Sequence, residues 1–151
     1  MVYKAIDIAN KLLLAASRDS EIAGQGELMS NMKLQKMLYY QQGFHLAVFG
    51  EPLFAEPIEA WMYGPVVPSV YEHFKKYGFQ GIPPETKEDI SLEPKEQALF
   101  DEVYKVYSTY SALGLMNMTH SESPWATTET GMGNVIDLGK MREFFLTRIN
   151  G

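Results

Sequence analysis

The densest group of residues capable of chemistry is Thr119-His120-Ser121-Glu122-Ser123-Pro124-Trp125, which gathers hydroxyls, a carboxylate and an imidazole in one short run. A hydrolase built on it needs a serine within hydrogen-bond reach of the histidine and donors aimed at the developing oxyanion. Neither a G-x-S-x-G elbow nor another strained nucleophile turn surrounds these serines. The same residues also read as helix punctuation, with Ser123 as an N-cap, Pro124 at the first helical position, and Thr119 and Ser121 tying down the end of a preceding helix. Catalysis by His120 with Ser121, Ser123 or Glu122 therefore stands as the alternative to a structural role.

Elsewhere the chemistry thins out. His45 and His73 are isolated within helical segments, and no H-E-x-x-H or similar ligand spacing occurs. The chain has no cysteine, which excludes disulfides, thiolate nucleophiles and cysteine-ligated zinc. Gly131-Met132-Gly133-Asn134 lacks phosphate-cradling spacing and reads as a turn. Glu51, Glu56 and Glu59 are spread around a proline-rich segment and read as an exposed cluster. No cofactor and no metal are expected.

The elements that position these residues are mostly helical. Ile6, Ala9, Leu13 and Ala16 recur at helical spacing over residues 3–18, with Leu12 widening the stripe and Gly24 and Gly26 marking its end. A second helix starts at the N-cap Ser30, with Met29 and Leu34 as a hydrophobic staple, and runs to about residue 49, where Gly50 stops it. Met37, Tyr40, Phe44 and Val48 form its inner stripe, and Leu34 and Leu38 widen it. Tyr39 and Tyr40 are adjacent, so one of them is expected to face outward.

Prolines 52, 57, 65 and 68 forbid a long helix over 51–68 but allow a short edge strand at 58–62. Pro68 suits the first position of a third helix and Gly78 the position beyond its end, with Lys75 and Lys76 at the cationic-favouring terminus and Val67, Val70, Phe74 and Tyr77 facing inward. Residues 81–92 read as a surface connection with a short strand near Ile90. A long helix over 94–110 is expected to bury Leu99, Val103, Val106 and Tyr110, and Ser111 caps a shorter continuation. A strand at Val135 and Ile136 precedes a closing helix capped by Asp137 and faced by Leu138, Met141, Phe145 and Ile149. Trp61 and Trp125 are expected in the core. The sum is a mainly α fold, one compact domain over 1–151 with about five to six helices and a few short β-strands.

Composition agrees. A chain of 151 residues that is 46% hydrophobic and 13% aromatic can bury a sizeable core. A net charge of -6 argues against a broad phosphate-binding surface, leaving Lys33, Lys36, Lys75 and Lys76 as local basic spots for a weaker nucleic-acid reading. No apolar run approaches the roughly 20 residues needed to cross a bilayer. With no signal-like apolar core over 1–10 and no cysteine, the setting expected is cytoplasmic.

Three stretches carry a family resemblance: Lys33-Leu34-Gln35-Lys36-Met37-Leu38-Tyr39-Tyr40, then Ala60-Trp61-Met62-Tyr63-Gly64-Pro65-Val66-Val67-Pro68-Ser69-Val70-Tyr71, then Thr119 to Trp125. In this order they resemble the Panacea antitoxin domain family, whose pattern corresponds to L-Q-K-L-L-Y-Y, A-W-x-Y-G-P-V and T-H-x-x-x-P-W. Met37 stands where leucine is usual, an exchange of similar volume. The family includes SocA-like antitoxins and GepA-like phage-associated proteins. The resemblance implies an antitoxin that binds a protein partner, its cognate toxin, either neutralising it directly or acting as an adaptor that presents it to a protease. It implies no enzymatic activity. The candidate partner-binding residues are Lys33, Lys36, Tyr39, Tyr40, Tyr63, Gly64, Pro65, His120 and Trp125.

Overall fold

The computed structural model describes residues 2–23 and 28–149. Its helices are α1 (Ala5–Ala23), α2 (Asn31–Phe49), α3 (Pro68–Phe74), α4 (Pro94–Tyr107), α5 (Ala112–His120), α6 (Ser123–Ala126) and α7 (Leu138–Ile149). A 3-10 turn, Lys75–Tyr77, extends α3, and two strands, β1 (Glu59–Trp61) and β2 (Gly64–Val66), lie between α2 and α3. The fold is mainly α, as the sequence predicts.

The local signals for α2 hold. Ser30 accepts a hydrogen bond from the Lys33 amide through its side chain, and Gly50 adopts a left-handed φ of 76° that lets its amide close on the Leu46 carbonyl. Around α2 the rest of the chain is assembled: it touches α1, α3, α4, α5, α7 and β2. Residues 34–47 are consequently buried without interruption, and the expectation of one inner face gives way to a helix enclosed on all sides. Gly43 is part of the reason, since a β-carbon there would sit 2.1 Å from Cε2 of Phe145, so α7 approaches closely at this point.

A polar residue on an enclosed helix must find a partner inside the protein. Gln42 donates to the Phe54 carbonyl at 2.8 Å and accepts from the Leu53 amide at 2.8 Å, and Gln41 donates to the Phe100 carbonyl at 3.1 Å. His45 Nε2 lies 2.5 Å from Oε2 of Glu96, and its Nδ1 lies 2.6 Å from the Glu51 carbonyl. Burial pushes Glu96 up, but its bonds with His45 and Tyr3 outweigh that and hold it below the usual carboxylate range.

β1 and β2 pair antiparallel, with Glu59 opposite Val66, Ala60 opposite Pro65 and Trp61 opposite Gly64. Strand 58–62 was expected; its partner, which contains a proline, was not. On its other side β1 meets Val135 through an isolated bridge, in place of the strand expected at 135–136.

Several other expectations are corrected. Residues near Ile90 form no strand. α4 stops at Tyr107, and its buried residues are Glu96, Phe100 and Val103, while Val106 and Tyr110 are exposed. The short end residues Leu138 and Ile149 of α7 are also exposed, leaving Met141 and Phe145 inside. Val48 lies outside the core because α2 is there emerging from its enclosure. In α6 Glu122 takes the N-cap position without a side-chain cap bond, one residue earlier than expected. Gly24 and Gly26 lie outside the described residues.

Candidate functional site

The three sequence stretches, far apart in the chain, converge on one side of α2. Gln35 accepts a hydrogen bond from the Val67 amide at 2.9 Å, joining the first to the second. Trp125 donates its indole N–H to the Trp61 carbonyl at 2.8 Å, joining the second to the third. Tyr39 and Tyr40 donate to the two carboxylate oxygens of Glu122, at 3.0 and 2.9 Å, joining the first to the third. All three meet at Gly64, where a β-carbon would lie 2.6 Å from Cε of Lys36 and 3.0 Å from Oγ1 of Thr119.

Both tyrosines are therefore fully buried, and the expectation that one faces a partner is wrong. Adjacent helical side chains do point apart, but α2 has protein on every side, and the Glu122 carboxylate reaches both hydroxyls. Tyr40 also stacks on Tyr107 with ring centroids 4.0 Å apart, and Tyr39 meets Phe145 edge to face. Burial, followed by the nearby Glu122, raises both phenols well above their ordinary value. Burial also raises Glu122, against the lowering effect of its bonds from Tyr40 and Tyr39.

Lys36 is the second correction, because it is 2% exposed and cannot belong to an outer basic face. The nucleic-acid reading through Lys33, Lys36, Lys75 and Lys76 thereby loses a member. Lys33 donates to the Ser108 carbonyl at 2.7 Å. Lys36 makes no hydrogen bond or ion pair with any described residue, and desolvation alone draws its amine down to about 7.

The remaining candidates divide by position. Gly64 and Pro65 are buried in β2, so they shape the hairpin and do not present a surface. Tyr63, at the hairpin turn, is 59% exposed. Trp125 is half-buried against the core, and Trp61, expected in the core, is half-buried at the edge of a cleft. His120 stacks on Trp125 with centroids 4.0 Å apart, and its Nε2 is buried with no hydrogen-bond partner among the described residues.

The hydrolase arrangement is not formed by these residues. Ser121 donates to the Met118 carbonyl and Thr119 to the Met116 carbonyl, each at 2.8 Å, as helix-end ties. Glu122 is engaged by the two tyrosines, and His120 hydrogen-bonds to none of them. Among the described residues no group of three or more metal-ligating side chains is assembled, and no helix is long and apolar enough to cross a membrane.

A family profile described as antitoxin SocA-like, Panacea domain, matches residues 34–126, a span that contains nearly all of the three converging stretches. The chain belongs to the SocA-like Panacea antitoxin family. Antitoxin SocA of Caulobacter vibrioides (strain NA1000 / CB15N) is 34% identical over 145 residues, covering 87% of this chain and 73% of that protein. No solved structure gives a significant match. In Panacea terms, the family's motif residues here are chiefly the ones that fasten the hairpin, α2 and the α5–α6 junction to one another.

Sequence reasoning missed two sets of residues. Glu122, a candidate for catalysis in the sequence, is instead the acceptor of two buried tyrosines, a role that only the burial of both reveals. Met62, Phe79 and Met132 were not singled out, and only the packing shows that these exposed apolar side chains border one cleft.

Proposed function

We propose that this Panacea protein is an antitoxin that neutralises a cognate protein toxin by binding it through the surface around the β1–β2 hairpin. The observation that carries this reading is an exposed apolar patch: Met62 (66% exposed), Tyr63, Phe79 (93%) and Met132 (77%) border a single cleft on an acidic chain. Large exposed apolar side chains gathered around a concavity mark interaction sites more than scattered ones do. Tyr63, backed by Gly64 and Pro65, is the exposed contact, while Trp125 and His120 brace the hairpin from behind. Residues 1–151 act as one domain in this reading, supported by α2 touching elements from both ends of the chain.

Identifying the protein encoded beside its gene and co-expressing the two tests the proposal. The expected result is a co-purifying complex and rescued growth, both lost in Met62→Ser/Tyr63→Ser. An intact complex and full rescue with that double variant would remove this surface from the reading, and no complex with the wild-type protein would remove the antitoxin reading itself. Toxin levels in the rescued cells separate the two modes: a stable toxin means direct inhibition, and a toxin that disappears when the antitoxin is present, but persists in a protease-deficient strain, means adaptor action.

A further inference from the structure

Every polar side chain on α2 except Lys36 makes a hydrogen bond within the protein, from Asn31, which donates to the Tyr71 carbonyl, to His45. Leaving a buried ammonium without an acceptor is unfavourable, and natural cores rarely do so. Gly64 runs against the stem of Lys36, which lines a cleft of about 770 Å³ walled by Trp61, Val66, Tyr71 and Phe79. That volume falls in the usual range for binding pockets.

The charge of this cleft differs from that of the chain. The net charge is -6, yet the two amine-bearing side chains lining the cleft are Lys36 and Lys75, and among the described residues no carboxylate lines it. Glu59, the acidic residue of the hairpin, is engaged by the Trp61 indole at 2.9 Å and the Gly133 amide at 2.7 Å. The site thus combines an apolar, aromatic wall with an amine that has no acidic partner among the described residues.

We propose that the cleft receives an anchor of the bound protein in which a carboxylate stands beside an apolar or aromatic side chain, the carboxylate pairing with Lys36 and the apolar body lying against Trp61 and Tyr71. This rests on the protein-binding reading of the same surface. A polypeptide, in place of a free small acid, follows from the rim: exposed Met62, Tyr63, Phe79 and Met132 continue the apolar surface outward, and a larger partner is needed to cover them. Lys75 at the same cleft adds to the preference for an acidic group.

Two measurements test it. In the first, N-acetyl-phenylalanine and its uncharged amide are titrated into the full chain while the Trp61 indole and Lys36 side-chain resonances are followed by NMR. The acid is expected to bind about tenfold more tightly than the amide, with Lys36→Met abolishing the difference; equal binding of acid and amide, or an unchanged preference in the variant, overturns the proposal. Lys36→Gln keeps the test valid if the methionine closes the cleft. In the second, the neighbouring toxin is expected to bind Lys36→Met at least about tenfold more weakly than wild type. Acid-selective probe binding with unchanged toxin affinity overturns the polypeptide assignment and leaves a free acid as the ligand. A toxin that binds neither protein sinks the protein-binding reading, while the probe titration still decides the chemistry of the cleft.

Discussion

Gly64 lies so close to the stem of Lys36 that a β-carbon on it would sit 2.6 Å from Cε. The glycine has a φ of 111°, which side chains rarely adopt, so clearance and backbone conformation both demand it. Gly64→Ala is expected to destabilise the fold by about 2 to 4 kcal/mol, combining backbone strain with overpacking. Urea denaturation checks this, and a loss under about 0.5 kcal/mol would mean that the hairpin shifts freely away from α2.

Replacing Lys36 with methionine should raise stability, because the side chain is nearly fully buried and its amine has no partner among the described residues. The gain expected near neutral pH is on the order of 2 kcal/mol. The folded amine titrates at about 7 and the unfolded one at 10.5, so the unfolded chain holds the extra proton between those values. Wild-type stability should therefore rise with pH across that window, through the contribution of this group, and the methionine variant should lack that slope. Lys75, Tyr63 and Tyr71 line the same cleft and remain in both proteins, so urea curves of the pair at pH 6, 8 and 9.5 isolate Lys36.

Glu122 separates hydrogen bonding from charge. Its carboxylate is raised by burial, so its contribution to stability is largest at low pH and declines as pH rises above about 4.5 towards and through the folded value. Glu122→Gln can still accept from one tyrosine and donate to the other, and should stay within about 1 kcal/mol of wild type while losing that decline. Glu122→Ala strands two buried hydroxyls and should cost about 2 to 4 kcal/mol, measurable by denaturation at pH 5 and 7.

Trp125→Phe keeps an aromatic ring against His120 but removes the donor to the Trp61 carbonyl. A loss of about 1 kcal/mol is expected, with changed emission from the remaining Trp61 as the hairpin loosens. Unaltered stability would show that the contact contributes little to fastening the hairpin.

The features legible in the sequence were those written within one turn of chain. Ser30, Gly50, Pro68, Gly78, Ser111 and Asp137 each act at a helix end near the expected residue, because capping and φ restrictions depend on neighbours at most four positions away. The three motifs were legible as a pattern too, and with them the Panacea family. Helical spacing also located Ala9, Leu12, Leu13 and Ala16 of the α1 core, but not Ala5, Ile8 or Leu14, and Ile6 is only half-buried.

What the sequence could not supply was the surroundings of each element. Of the expected stripe Leu99, Val103, Val106 and Tyr110, Val103 is buried, but Val106 is exposed and Tyr110 lies beyond the end of α4, and Phe100 is buried instead, because the buried face of α4 is set by what packs on it. β2 is short and contains a proline, so its strand character arises from pairing with β1.

The amino-acid sequence by itself determined the helical framework, the caps, the family and the identity of the motif residues. Tertiary structure decided their roles. Tyr39 and Tyr40 both turn inward because a carboxylate more than 80 positions away meets them. Lys36 is enclosed because the hairpin closes against α2, with a glycine as the point of contact. Spacing along one helix carries no information about groups that arrive from elsewhere in the chain, and burial, pairing and charge compensation all depend on those groups.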